Sequence, residues 1–169
     1  MVKPPVAGEI ALLLDLLDEA YDRSAWHGPN LRGSLRGLTA GEAAWQPAPD
    51  RNAIWQVVLH CAYWKYAVRR RISGAGKRGS FARSGSNWFP LPSPANAAAW
   101  RSDLALLDAE HAALRAVVET LRPAGLAKLR GGSTVRRLAV GIAAHDLYHA
   151  GQVRLLIRLA GAKTRRRKA

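Results

Sequence analysis

The chain has 169 residues, the length of one domain, and its 49% hydrophobic content is enough to build a buried core. One cysteine, Cys61, excludes an internal disulfide framework and a thiolate zinc site, and the absence of any 18-residue apolar run argues against a membrane span. Lys and Arg outnumber Asp and Glu by 26 to 12, a net charge of +14, which admits an anionic substrate, an acidic partner or nucleic acid without selecting one.

The first predicted helix spans residues 7–23, where Ile10, Leu13, Leu14, Leu17 and Tyr21 recur at helical spacing. Trp26-His27-Gly28-Pro29 breaks it. A shorter helical piece follows at about 30–37, and Thr39 with Glu42 three residues on reads as a capping box. The next long helix is expected from about Asn52 to Ser73, with Ile54, Val57, Val58, Cys61, Trp64 and Val68 on its apolar face. Residues 74–94 are rich in Gly, Ser and Pro and read as a long loop; its Trp88, Phe89 and Leu91 need packing partners. A helix over about 94–121 aligns Trp100, Leu104, Leu107, His111, Leu114 and Val118. Thr134 is a candidate cap for a last helix that ends near Ala160, with Gly161 as its stop. No stretch alternates convincingly as a strand.

These elements predict an all-α four-helix bundle over residues 1–161, with the longest loop between the second and third long helices. Residues 162–169 carry Lys163, Arg165, Arg166, Arg167 and Lys168 and are expected to form a disordered basic tail. The N-terminus has Lys3 but no apolar stretch or cleavage site behind it, so a cytoplasmic protein is expected. The nine Lys and Arg between Asp50 and Asp103, with no acid among them, leave nucleic-acid binding as a minor reading.

The sharpest chemical signal is His145-Asp146-Leu147-Tyr148-His149. Histidines four apart lie on one helical face with Cβ atoms about 6 Å apart, so both rings can meet one metal ion. At about 100° per residue, Leu138, Ile142, His145, His149, Gln152, Val153 and Leu156 share a stripe, which sets the two rings on the core-facing side. Two imidazoles there are either metal ligands or core histidines satisfied by other partners. A third ligand would come from another helix. His60 is best placed, at the edge of its helix's apolar face, while His111 and His27 stay open. Asp146 either fixes the tautomer of a ligand ring or pairs with an arginine. Gln152 is a candidate pocket residue or a partner of a ligand ring. Tyr148 suits packing at a pocket edge, and Cys61 a small buried hydrophobe. Trp26, Trp45, Trp88 and Trp100 are candidates for exposed aromatic surface that favours dimerisation.

Three segments resemble the DinB superfamily of four-helix bundles: Trp26-His27-Gly28-Pro29, Ile54-Trp55-Gln56-Val57-Val58-Leu59-His60 and His145-Asp146-Leu147-Tyr148-His149-Ala150-Gly151-Gln152. The resemblance covers about residues 9–159. It implies one divalent metal ion, zinc, nickel or iron, on His60, His145 and His149; by their positions in the sequence, His27, Asp146 and Gln152 are candidates for its surroundings. It further implies a small-molecule substrate, a homodimer, and a thiol S-transferase using a low-molecular-weight thiol such as bacillithiol, mycothiol or glutathione. Arg69, Arg70 and Arg71 would then hold carboxylates of that thiol or simply form a solvated helix end. A metal hydrolase is a variant of this expectation. A stress-linked metal-binding or interaction protein without turnover is the alternative.

Overall fold

The computed structural model describes residues 8–75 and 79–166, with side chains as far as Gly161. The chain is all-α, with six α-helices among the described residues: α1 (Gly8–Tyr21), α2 (Leu31–Ser34), α3 (Ala40–Ala44), α4 (Ile54–Ser73), α5 (Ala97–Glu119) and α6 (Val135–Arg166). Of the long ones, α1 packs against α5 and α6, and α4 packs against the same two. That closed ring of neighbours is a four-helix bundle, and the short α2 and α3 lie against α6 and against α4 and α5.

Local chemistry explains most boundaries. Thr39 and Glu42 cap α3 reciprocally, the Thr39 side chain accepting from the Glu42 amide and the Glu42 carboxylate from the Thr39 amide. Gln56 Oε1 accepts from the Ala53 amide at 2.9 Å and so closes the first turn of α4. Thr134 Oγ1 accepts from the Arg137 amide at 3.2 Å and caps α6. The expected start of the first helix at Ala7 lies outside the described residues, as does Gly76 of the long loop.

Two expectations need correction. The connector before α6 holds a small antiparallel hairpin, β1 (Leu129–Arg130) and β2 (Ser133–Thr134). Gly131 and Gly132 form its two-residue turn with φ of 58° and 81°, the double positive φ that suits a hairpin and that glycine adopts without strain. At the other end, Gly161 does not stop α6, which continues to Arg166. One glycine costs roughly 1 kcal/mol against alanine, too little to end a helix flanked by Ala160, Ala162 and Lys163. The backbone of 162–166 is helical, and 167–169 lie outside the described residues.

The core forms two apolar clusters stacked along the bundle. One joins Leu31, Trp55, Val58, Phe89, Trp100, Leu107, Ala150 and Val153. The other joins Ile10, Leu17, Val68, Leu114, Val118, Ala139, Ile142 and Ala143. Between them, one turn from each cluster on three helices, sit Lys65, His111 and Asp146, all buried. Lys65 Nζ donates to Asp146 Oδ2 and lies 3.3 Å from His111 Nδ1, and the His111 ring stacks on Tyr21 with centroids 3.8 Å apart. The inward face of α6 includes Ala139, Ile142, Ala143, Asp146, His149, Ala150 and Val153. Of the predicted stripe, Ile142, His149 and Val153 are buried, while Leu138, His145, Gln152 and Leu156 are half-buried. Trp100 is likewise no surface residue: it is buried and donates Nε1 to Leu38 O at 3.0 Å.

Candidate metal centre

Two helices bring His60, His145 and His149 together. His145 and His149 follow from one turn of α6, and His60 projects from the adjacent α4. The Nε2 atom of His145 lies 3.1 Å from Nε2 of His60 and 3.1 Å from Nε2 of His149. His60 and His149 are buried and His145 is half-buried.

The outer nitrogens fix the protonation of two rings. His60 Nδ1 lies 2.8 Å from the main-chain oxygen of Asn87, which can only accept, so Nδ1 carries the proton. His149 Nδ1 lies 2.7 Å from Gln152 Oε1, with the same result. Both Nε2 lone pairs therefore point at His145. A hydrogen on His145 Nε2 can satisfy one of them and leaves the other facing a filled orbital. Burial keeps protons away: it lowers His60 against the opposing pull of the Asn87 bond, and it pushes His149 down to about 4 despite the Gln152 bond. His145 falls to about 3, through burial first and then the nearby His149, His60 and Lys65. Three neutral imidazoles with converging lone pairs are the donor set a divalent ion takes. Nitrogen donors 2.0–2.1 Å from a tetrahedral ion stand about 3.3 Å apart, close to the spacing here. The residues fit a metal ion.

Aromatic rings and one loop enclose the cluster. Trp88 stacks on His60 with centroids 4.0 Å apart and 12° between planes, and Trp64 lies edge-on to the same ring. Trp64 Nε1 donates to Asn87 Oδ1 at 3.0 Å, and Gln56 Nε2 donates to Phe89 O at 3.1 Å. Gln56, His60 and Trp64, spaced by four on α4, thus pin the loop 87–89 to the helix. Asn87 holds φ of 63°, a left-handed conformation that asparagine tolerates.

The other sequence candidates land elsewhere. Asp146 lies beside His145, with a carboxylate oxygen within 4.8 Å of a ring nitrogen, but its hydrogen bond goes elsewhere: its Oδ2 takes Lys65, and its Oδ1 is buried without a partner among the described residues. Burial raises its carboxyl above the usual range, against the pull of Lys65. The Nδ1 of His145 is also buried and has no hydrogen-bond partner among the described residues. His27 is exposed in the loop after α1, outside the contacts of the cluster, and His111 belongs to the Lys65 layer. Burial pushes the Cys61 thiol well up, which suits an inert core residue. Arg69 pairs with Glu110 at 3.0 Å, and Arg71 lies over the Trp64 ring. Sequence reading missed Asn87 and Lys65. Lys65 had a signal: it is in helical register with the apolar Cys61, Val68 and Ile72. Asn87, in a Gly- and Ser-rich loop, had none.

Four packed helices with a convergent three-histidine cluster define an all-α bundle protein with a site compatible with a metal ion. The chain belongs to the DinB superfamily, whose family model matches residues 23–153, a span that includes all three histidines. No curated protein and no solved structure matches it.

Proposed function

We propose that His60, His145 and His149 bind one divalent metal ion, and that the protein is a metal-dependent thiol S-transferase or hydrolase acting on a small molecule. The observation that supports this reading is the pair of 3.1 Å contacts between Nε2 atoms, whose outer nitrogens hold two rings in the ligand tautomer. An ion on three nitrogens keeps a coordination position for water or substrate and there supplies an activated water or a stabilised thiolate. Asn87 and Gln152 orient the rings, and Trp88 covers one face of His60.

Elemental mass spectrometry of untagged protein tests the metal. About one equivalent in the wild type, lost in His145→Ala with helicity intact, is the expected result; none in either after reloading overturns it. Thiol-dependent consumption of chlorodinitrobenzene then tests transfer. A metal-loaded protein inactive in both transfer and hydrolysis assays is instead the non-catalytic metal-binding protein.

The reading includes a homodimer. Tyr148, Leu155 and Leu159 form an exposed apolar stripe on α6, which suits pairing of two copies, and sedimentation velocity decides it. Nucleic acid is not part of this reading. Among the described residues, no helix is long and apolar enough to cross a membrane.

A further inference from the structure

A cavity of about 260 Å³ opens between α4 and α6 beside the histidines. Its walls include Trp64, Val68 and Arg71 from α4, and Arg137, Gly141 and His145 from α6. The spacing gives it direction. On α4 the residues at one helical interval run from Trp64 to Arg71, while on α6 they run back from His145 to Arg137. Both intervals correspond to about 10–12 Å of helix rise. The groove therefore has a histidine end at His145 and an arginine end at Arg137, with the Arg71 guanidinium over the Trp64 ring along its wall.

The arginine end is electrostatically incomplete. No Asp or Glu lines the cavity, and neither Arg71 nor Arg137 has a carboxylate partner among the described residues. In a larger cleft of about 920 Å³ between α1 and α5, Arg32 pairs with Asp108, and Arg115 with Asp18. Arg137 also stands in the first turn of α6, which carries no acid. There the helix dipole opposes a cation and favours an anion. Gly141 lines the groove, and a Cβ there would meet no atom within 4 Å. Packing does not require a glycine at that position, and alanine is the better helix former. The space it leaves belongs to the groove.

We propose that this groove binds the anionic end of an elongated small molecule through Arg71 and Arg137, directing the molecule's other end towards His145. The ligand class is a carboxylate, or an anion of similar size, on a short apolar body. The volume falls just below the roughly 300 Å³ at which pockets for drug-sized ligands begin, so the ligand is small. Assigning that ligand as the substrate or its thiol partner rests on the function proposed above; the anion site itself does not.

The test uses 3-phenylpropanoate and its neutral analogue 3-phenylpropan-1-ol, titrated into zinc-treated and untreated protein. Binding is followed by the ¹⁵N-resolved indole N–H resonance of Trp64, identified by its loss in Trp64→Phe. The carboxylate is expected to bind at least about tenfold more tightly than the alcohol, the margin of one charge-assisted contact. Arg71→Ala/Arg137→Ala should bring the two probes within about twofold, and the corresponding double lysine variant should restore most of the preference. Gly141→Val should abolish binding of both probes, and Gly141→Ala should weaken it without loss of helicity. Equal affinities in the wild type, no binding of either probe, or a preference that survives the double alanine variant overturns the proposal. Metal content measured on the same samples separates the two readings. Protein without metal that still prefers the carboxylate refutes the metal centre and retains the anion groove.

Discussion

His60 donates its Nδ1 proton to the main-chain oxygen of Asn87, 2.8 Å away, so a loop residue in the left-handed region sets the tautomer of a helical histidine. The dependence is on backbone position more than on side-chain identity. Glycine holds φ of 63° without strain, whereas alanine there costs roughly 1–2 kcal/mol. Asn87→Ala is expected to lower zinc affinity about tenfold, the lower limit of the 10–100-fold range for partners of ligand rings. Asn87→Gly should stay within about threefold of wild type by the same reasoning. Competition with a chromophoric chelator measures both, and equal affinities for the two variants would refute the backbone argument.

Gln152 makes the matching bond to His149 through a side chain. Gln152→Ala should therefore weaken zinc by about 10–100-fold, and Gln152→Glu should retain it because the carboxylate also accepts. The same chelator assay distinguishes the two. Equal losses would mean that Gln152 acts through packing alone.

The Lys65–Asp146 pair is fully buried. Removing one partner strands a charge in the core, which costs about 3–5 kcal/mol. Lys65→Met is expected to destabilise by that amount in urea unfolding. Lys65→Met/Asp146→Leu removes both charges and should recover most of the loss. A double variant as unstable as the single one would show that the layer's value lies elsewhere.

His111 is held down to about 3 by burial and by the charges of Lys65 and Arg115. The sign follows from proton binding. Below about pH 6.5 the unfolded chain protonates this ring while the folded chain does not, so stability falls as pH falls from about 6.5 towards 3. Between pH 6.5 and 5 this one group should account for about 1–2 kcal/mol. His111→Asn, whose Oδ1 can take the Nδ1 contact to Lys65, should flatten that part of the urea midpoint-against-pH curve. A curve parallel to wild type would exclude His111 as the source.

Local rules carried much of this architecture in the sequence. The Thr39–Glu42 box, the i, i+4 histidines and the apolar stripe of α5 each depend on residues a turn apart, and each stands where spacing places it. The failures have a common physical origin in tertiary contact. Asp146 neighbours His145 in sequence and in space, yet its hydrogen bond goes to Lys65 on another helix, a partner that local spacing does not announce. Asn87 gains its role only when Gln56, His60 and Trp64 draw the loop onto α4. The hairpin at Gly131 and Gly132 is too short to show alternation, and only the glycine pair marks it.

The polar layer also governs how the helices align lengthwise. Apolar clusters alone tolerate a slip of one turn, since aliphatic side chains replace one another at similar volume. A slip of α4 against α6 here would bring the Lys65 ammonium and the Asp146 carboxylate against alkyl groups, at the cost of an unpaired buried ion. The pair thereby acts as an axial key between α4 and α6. The same setting places His60 level with His145 and His149, although Lys65 touches none of them.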